Sequence, residues 1–307
     1  MKKTPVLLMT YIRPKNTENI LNLLRKYNQK NIFVFNDGLK NKADSEVHKK
    51  TRNLIKQIKK NYKIKIIFPK KNLTQKYNLP FALSQVFKKF DRAIILEDDC
   101  IPNKSFFKFC DLLLEKYKND NRISQISGNN FLNFKNFKRR NNDSYFFSKF
   151  TSSWGWATWK SRWENYYDSD LKVWPKVKKE KWLNDIFNNK KSFDFWTKAF
   201  NRRYKLLEDD WDRPWTLTNI INNRLNIFPN KNLISNIGED NAALHSNPKK
   251  WNSLKLENMK FPLIHPKIIC CDRNVDIFLT NEGFSFPKLS YRIKNKIKKF
   301  YKKIINN

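Results

Sequence analysis

Short apolar runs alternate with stretches of helical periodicity over the first 130 residues, and no other feature of the sequence constrains the fold as strongly. Continuous apolar runs predict strands that are covered on both faces, and the periodic stretches predict amphipathic helices. The strands are predicted at residues 5–11, 31–35, 63–68, 93–96 and 123–127, and the helices at 16–27, 45–60, 80–90 and 105–118. This repetition is typical of an α/β fold, with a mainly parallel sheet flanked by helices.

The pattern changes from about Tyr145 onward to tryptophan-rich helices and irregular segments. No linker rich in Pro, Gly or Ser separates the two parts, so we expect two halves that share one core. We place the first half at residues 1–130 and the second at 131–286, followed by a basic amphipathic helix at 287–307.

Several functional classes are excluded by what the chain lacks. Its five glycines are too far apart for a Walker A loop or a GxGxxG turn. Four cysteines without a CxxC pair and only three histidines exclude a zinc finger or a zincin. No run approaches the ~20 apolar residues of a membrane span. The apolar run at 6–12 fits a buried strand better than a signal peptide, so we expect a cytoplasmic protein with reduced thiols.

The chain is strongly basic, with 63 Lys and Arg against 28 Asp and Glu and a formal net charge of +35. Nucleic-acid phosphates, anionic lipids, or a composition rich in Lys, Asn and Ile would each account for this charge. We favour composition for most of the chain. Residues 288–307 differ, because eight Lys or Arg and no acid accompany apolar residues at helical spacing. Such a helix suits an anionic membrane surface, or it packs on its own domain.

Polar residues follow three of the predicted strands. Ligands of parallel sheets bind at the carboxyl ends of the strands, which places Thr10 to Arg13, Asp37 and Glu97-Asp98-Asp99 at one edge. Three acids at the end of a buried strand repel one another unless a cation or hydrogen-bond donors satisfy them. Hard oxygen ligands of this kind suit Mg²⁺ or Mn²⁺. Alternatively, these acids cap the following helix.

A second acidic group lies at residues 208–212. A carboxylate beside indole rings lies in a less polar setting, which favours its use as a base. Asp212, between Trp211 and Trp215, fits this role best, and Asp209 and Asp210 are the next candidates. Alternatively, the acids cap a helix at about 214–223.

Four tryptophans lie within ten residues, at positions 154, 156, 159 and 163. Indole faces suit sugar rings, and they also stack on bases. Core packing is the alternative, and we expect it for at least two of the four. Gly155, between two indoles, predicts a close backbone approach or a positive φ. His245 is one of three histidines and is either structural or a ligand.

The order of these motifs resembles a known family. Segments 10–14, 35–38, 96–99 and 154–159 are similar to bacterial glycosyltransferases of GT-A fold, and more narrowly to nucleotide-diphospho-sugar transferases with a Glu-Asp-Asp motif. The N-acetylglucosaminyltransferase I enzymes share that motif. Segments 211–215 and 232–245 also resemble this bacterial group, so the resemblance covers about residues 4–246. Residues 72–76 depart from it, since they read Asn-Leu-Thr-Gln-Lys where such enzymes often have Asn-Leu-Gly.

The resemblance implies that residues 1–130 bind a nucleotide-sugar and that residues 131–286 form the acceptor and catalytic half, a tryptophan-rich helical lobe. Asp99 would contact the divalent metal, Mn²⁺ or Mg²⁺, with Glu97 and Asp98 on the ribose or on metal-bound water. The nucleotide pocket would be lined by Thr10, Arg13 and Asp37.

The resemblance also implies roles for the second half. The sugar or acceptor pocket would be formed by Trp154, Gly155 and Trp156. Asp212 would deprotonate the acceptor hydroxyl, and His245 would close over the metal or the diphosphate.

The implied reaction is metal-dependent transfer of a sugar, with inversion, from a UDP-sugar to a hydroxyl of a glycan or lipid-linked acceptor in surface polysaccharide or lipopolysaccharide synthesis. The protein would then lie peripherally on the inner face of the cytoplasmic membrane. Two alternatives stay open. A nucleic-acid-binding protein is disfavoured because RRM, KH and zinc motifs are missing, and a catalytically inactive sugar-nucleotide-binding scaffold would keep the fold without turnover.

Overall fold

The computed structural model describes residues 3–132, 137–139, 141–187, 189–238 and 254–282. Its strands are β1 Val6–Thr10, β2 Ile32–Asn36, β3 Ile64–Ile67, β4 Arg92–Glu97, β5 Cys100–Pro102, β6 Ile123–Ser127, β7 Tyr145–Ser148, β8 Trp156–Trp159, β9 Leu225–Pro229 and β10 Ile234–Asn236. Its α-helices are α1 Pro14–Lys26, α2 Ser45–Asn61, α3 Thr74–Phe87, α4 Lys104–Lys116, α5 Lys160–Glu164, α6 Trp174–Lys179, α7 Trp182–Ile186, α8 Lys190–Tyr204, α9 Asp212–Ile221 and α10 Arg273–Glu282. Two predicted features, His245 and the basic helix at 287–307, lie outside the described residues.

Eight strands form one sheet in the order β3-β2-β1-β4-β8-β6-β9-β7. Strands β3, β2, β1 and β4 pair in parallel, as do β6 and β9. Strand β8 is antiparallel to both β4 and β6, and β7 is antiparallel to β9. Six strands therefore point the same way, which confirms the predicted mainly parallel α/β sheet.

Alternate residues of the central strands feed two different cores, because successive side chains of a strand point to opposite faces. On one face, Val6, Leu8 and Leu96 pack with α1, α2 and α4. On the other face, Leu7 and Ile95 pack with α3 and a group of tryptophans from the second half. The prediction of helices on both faces is confirmed.

A third core cluster belongs to the second half and joins α6, α8 and α9 to β7 and β9. The structure corrects the sequence analysis here. Residues after Tyr145 were expected to form helices and irregular segments, but β7, β8 and β9 extend the main sheet. These strands are four or five residues long and buried along nearly their whole length, so they show no alternation that would distinguish them.

The helix predicted at 80–90 is also corrected, since α3 begins six residues earlier, at Thr74, and contains Pro80. Proline is most common in the first turn of a helix, whereas here it lies within α3. The earlier start depends on a distant residue. Asp209 accepts hydrogen bonds from the Thr74 hydroxyl and the Lys76 amide, both at 3.1 Å, and so caps the first turn.

Among the described residues, none of the helices is both long enough and apolar enough to cross a bilayer.

Candidate active site

The ends of β1 and β2 are held together by a buried polar contact. Thr10 is paired with Asn36 in the parallel register. The Thr10 hydroxyl donates to the Phe35 carbonyl (2.9 Å) and accepts from the Asn36 amide (3.0 Å). The Asn36 amide also donates to the Tyr11 carbonyl (2.8 Å), which fixes the segment that leads to Arg13. The Thr10 hydroxyl therefore joins the carboxyl ends of β1 and β2.

Asp37 joins the loops that follow β2 and β3. Its Oδ1 accepts from the amides of Gly38 (2.7 Å) and Leu73 (2.9 Å), and the residue is only 4% exposed. Gly38 lies so close to the second loop that a Cβ would stand 2.2 Å from the Lys71 carbonyl carbon. Burial raises the pKa of Asp37, while the two amides act in the opposite direction. Asp37 thus shapes the predicted base pocket, and its direct contact with a nucleotide stays a prediction.

Arg13, just before α1, bridges the acids that follow β4. One of its terminal nitrogens, Nη1, lies 3.2 Å from Asp98 Oδ1 and 3.0 Å from Asp99 Oδ2. Asp98 also accepts from the Tyr11 amide (3.3 Å). The β1 and β4 ends are neighbours in the sheet, which is why residues 85 positions apart meet. A guanidinium therefore provides positive charge at the acidic cluster.

The acidic cluster is strained electrostatically despite this partner. Burial raises the pKa of Asp98 to about 7, with Arg13 opposing and Asp99 adding to the rise. Burial, followed by the charges of Asp99, Asp98 and Asp212, raises the pKa of Glu97 well above its usual range. Asp212 comes from the second half, and Trp211 next to it stacks on Trp156, which pairs with Ile95 of β4. The fold brings the two predicted acidic groups to one site.

Strand β10 closes the site from the second half by pairing antiparallel with β5, which places Asn236 opposite Cys100. The Ile237 amide donates to the Asp99 carbonyl (2.9 Å). Gly238 follows, and a Cβ on it would lie 2.5 Å from Asp99 Oδ2. Gly238 therefore lies directly beside the Asp99 carboxylate.

Asp210 anchors the start of α9. It is 3% exposed and forms ion pairs with the buried Arg203, at 3.7 Å, and with Arg213. Arg203 also donates to the Asp210 carbonyl (2.7 Å). Burial and the charge of Asp212 raise the pKa of Asp210, with Arg213 acting against them. The carboxylate of Asp210 is therefore engaged in ion pairs with two arginines. This arrangement suits a residue that positions Asp212 more than one that contacts a substrate.

Asp212 is the first residue of α9 and is half-buried. Its Oδ1 accepts from the Arg213 amide (3.0 Å), so a carboxylate oxygen is also engaged at the helix start. The third predicted acid lies elsewhere, because Asp209 caps α3 instead of facing the cluster around Glu97. The alternative in which these acids cap the helix at about 214–223 describes Asp210 and Asp212, whose carboxylates both accept from the Arg213 amide in the first turn of α9. Asp209 caps α3 instead.

The tryptophans divide between packing and the site. Trp156 is fully buried and stacks on Trp211, with ring centroids 5.3 Å apart, while Trp163 and Trp215 complete this group. Trp159 is buried on the other face of the sheet. The expected core packing of at least two of the four is confirmed. Trp156 is fully buried, so its ring packs beneath the surface of the site and cannot contact a substrate there in this structure.

Trp154 and Gly155, which precede β8, have different surroundings. Trp154 is half-buried, with its ring 5.2 Å from that of Phe131. Gly155 has a φ of +59°, and a Cβ there would lie 2.6 Å from Ile234 and 3.3 Å from Leu96. The predicted positive φ and close approach are both confirmed. Gly155 lets β8 pass beside the strand end that carries the acids.

A divalent cation at this site would need oxygen ligands from the side chains around it. Within the described ranges, no three His, Cys, Asp or Glu side chains converge closely enough to hold a metal ion by themselves. Mg²⁺-like ions are commonly bound through one or two carboxylates together with substrate phosphates. Asp99, with its side chain 14% exposed, offers one such oxygen ligand at the edge of the site. The residues fit a cation that is completed by the substrate.

Sequence reasoning missed the two arginines that organise Asp210. Arg203 lies inside α8 and carries no motif, and Arg213 follows Asp212 without a pattern that indicates its partner. A pairing between the end of one helix and the start of the next depends on the turn between them. Spacing alone gave no signal for it.

Comparison with known proteins gives three findings. Residues 1–203 match the model of the GNT-I family. None of the curated proteins matches this chain. The solved structure of 4-diphosphocytidyl-2C-methyl-D-erythritol synthase from Anaerococcus prevotii is 10% identical, over 68% of this chain and 84% of that chain, with a TM-score of 0.32. A likeness of that size carries no argument about function.

Proposed function

The chain belongs to the GNT-I family, a family of glycosyltransferases, and on that premise we propose that it transfers a sugar from a UDP-sugar to a hydroxyl of a glycan or lipid-linked acceptor. One observation supports this proposal above the others. Trp211 stacks on Trp156, with ring centroids 5.3 Å apart, and Trp156 pairs with Ile95 of β4, so Asp212 at the start of α9 lies near the strand end that carries Glu97, Asp98 and Asp99.

The donor would lie over the carboxyl ends of β1, β2 and β4. The loops that Asp37 ties together would border the base, and Arg13 would turn from the carboxylates to the diphosphate. Asp99 would hold a divalent ion, Mn²⁺ or Mg²⁺, and enzymes of this family are generally Mn²⁺-dependent. Such an ion supplies neutralising charge for the leaving diphosphate.

The reaction step would be a single in-line displacement with inversion. The acceptor oxygen forms a bond to the anomeric carbon while the bond from that carbon to the diphosphate oxygen breaks. The acceptor proton passes to Asp212, and the nucleoside diphosphate leaves with the bonding electrons. Arg203 and Arg213 hold Asp210 just before α9, and this contact would keep Asp212 oriented toward the acceptor.

The proposed setting is the synthesis of surface polysaccharide or lipopolysaccharide on the inner face of the cytoplasmic membrane. The basic composition of residues 288–307 supports contact with anionic lipids. His245 would close over the metal or the diphosphate, and Trp154 and Gly155 would border the sugar.

Thermal denaturation of the purified protein with nucleoside diphosphates and UDP-sugars tests the donor site, because a ligand that binds only the folded state raises the Tm. We expect UDP to raise the Tm only when Mn²⁺ or Mg²⁺ is present, and Asp99→Asn to abolish that shift. Asp185→Asn, an exposed acid on α7, is the matched control and should respond like the wild type. The absence of any shift with every nucleotide and metal would overturn the donor site.

Turnover separates an enzyme from an inactive scaffold. Release of UDP from UDP-sugars should be detectable with the wild type, and Asp212→Asn should reduce it by two or more orders of magnitude, the usual scale for a general base. The Tm shift with UDP and metal should persist in that variant. Equal release by both proteins would show that Asp212 is not the base.

A further inference from the structure

The C-terminal end of α8 breaks a common rule of helix termination. The Leu207 amide donates to the Arg202 carbonyl (3.0 Å) and the Leu206 amide to the Arg203 carbonyl (3.1 Å). These two bonds form a Schellman motif, in which the residue after the cap adopts a left-handed conformation and is usually glycine. Leucine occupies that place here, with a φ of +56° at Leu206. The chain therefore carries backbone strain that a glycine would remove.

Packing within the fold does not compensate for the backbone strain at Leu206. Leu206 is 68% exposed and Leu207 is 62% exposed, and Tyr204 beside them is also exposed. We call residues 204–207 the α8 tip. Apolar side chains that cost strain and remain in water point to a partner outside the fold, since local rules are most often broken at functional positions.

The charges beside the α8 tip favour an anionic partner. A groove of about 320 Å³ runs along the last turns of α8, and its lining includes Lys198, Arg202, Lys205 and Leu207. The acid in this lining, Asp194, is paired with Lys190 at 3.5 Å, and Arg202 is paired with Glu208, just beyond the tip, at 2.8 Å. We call this the α8 groove. Four cations (Lys190, Lys198, Arg202 and Lys205) outnumber these two acids, so the surface beside the exposed leucines carries net positive charge.

We propose that the α8 tip and the α8 groove form a contact site for an anionic phospholipid surface. Lipid phosphates would lie over the cations, and Leu206 and Leu207 would enter the boundary between headgroups and acyl chains. Two leucines and a tyrosine are a small surface for a stable protein partner, which needs roughly 800 Å² on each side. A bilayer needs no such area, because a few inserted side chains and several cations act together.

The location of this site relates it to the catalytic half. The tip leads directly into residues 208–212, and Asp209 ties that segment to the start of α3. A membrane at the tip would therefore lie on the side of the molecule where α9 presents Asp212. This contact is separate from residues 288–307 and does not depend on the identity of the donor.

Flotation of the full-length protein with phosphatidylcholine vesicles, with and without phosphatidylglycerol, tests the site. The variant Leu206→Gly/Leu207→Ser should bind phosphatidylglycerol vesicles roughly tenfold more weakly, from the lost burial of two leucines. Its Tm should not fall, because glycine is favoured at this position of the motif. Residues 288–307 are present in every protein compared, so the difference reports on the tip.

The matched control is Ile264→Ser/Ile268→Ser, which removes two side chains that are 61% and 72% exposed on another surface. This control should bind like the wild type, and Lys198→Gln/Lys205→Gln should lose the preference for phosphatidylglycerol. Unchanged binding of the leucine variant, or an equal loss in the isoleucine control, would overturn the proposal. Equal binding to vesicles with and without phosphatidylglycerol would overturn it as well.

Discussion

Arg13 occupies the position at which a cation is most needed in the site. It provides the guanidinium that bridges Asp98 and Asp99, at 3.2 and 3.0 Å. Two carboxylates at the end of a buried strand are costly without such a partner. On the proposed function, a divalent ion at Asp99 would compete with Arg13 for the same oxygens until a bound diphosphate attracted the guanidinium away.

This competition predicts the behaviour of Arg13→Gln in the absence of nucleotide. Its affinity for Mn²⁺ should rise several-fold, because the ion no longer displaces a guanidinium. Titration of the protein with Mn²⁺, followed by electron paramagnetic resonance of the free ion, measures the affinity directly. Arg25→Gln, in the last turn of α1, serves as the control. Unchanged or weaker binding by Arg13→Gln would contradict the competition.

Two glycines near the acids predict opposite outcomes. In Gly238→Ala the new methyl group would lie 2.5 Å from Asp99 Oδ2 and 3.1 Å from Asn236 Oδ1, both at the ends of side chains, so the fold should keep its Tm while the shift with UDP and metal is lost. In Gly155→Ala the positive φ would strain the backbone, and the new Cβ would clash with Ile234. The unfolding free energy should therefore fall by about 1–3 kcal/mol. Thermal denaturation of both variants, with and without ligand, distinguishes them. A shift with UDP and metal that persists in Gly238→Ala would contradict the role of Gly238.

At the scale of elements, α3 shows how the second half completes the first. Thr74 has a φ of +60° at a position where related enzymes often have glycine, and its hydroxyl donates to Asp209. A distant carboxylate therefore stabilises a β-branched residue in an unusual conformation. The departure of residues 72–76 from the family pattern is compensated by this contact.

Removal of that carboxylate should release the first turn of α3. Asp209→Ala is expected to cost about 1 kcal/mol, the usual value of a helix cap, and to speed hydrogen exchange at the Lys76 amide. Asp209→Asn keeps an oxygen acceptor and should restore most of the protection. If exchange at Lys76 is the same in all three proteins, the contact does not stabilise the helix.

At the scale of the molecule, α10 is joined to the sheet by a buried carboxyl group. Asp276 accepts from the Ser148 hydroxyl (2.6 Å) and the Lys149 amide (3.3 Å), and burial raises its pKa to about 6. A pKa raised above the usual 3.8 means that the fold favours the protonated form. This contribution to stability is complete below pH ~4 and is lost as the pH rises to about 6.

The size of that loss is about 3 kcal/mol, from 1.36 kcal/mol for each pKa unit. Asp276→Asn should therefore show a flatter dependence of the unfolding free energy on pH between about 4 and 6 than the wild type. Urea denaturation across this range measures the difference, with Asp185→Asn as the exposed control. Parallel curves for the wild type and Asp276→Asn would contradict the assignment.

The sequence was most informative where local pattern and tertiary role coincide. Strands β1, β2 and β4 contain continuous apolar runs at residues 6–9, 32–35 and 93–96, and the polar residues after these runs marked the site. Strand β8 gave no such signal, because Trp156 and Trp159 fit a helix or a binding surface equally well by composition. The pairing of Arg203 with Asp210, and the cap of α3 by Asp209, depend on chain geometry that no short window contains.

Strand β8 has a further consequence for how this molecule can change. It lies between β4 and β6, so a strand from the later part of the chain is inserted between two from the earlier part. A cut near residue 130 would leave β4 and β6 without the partner that joins them. Neither half can therefore complete the sheet alone, and in a chimera the foreign β8 would have to fit β4 on one side and β6 on the other. Substitutions that leave Trp156 and Ala157 in place disturb this junction least.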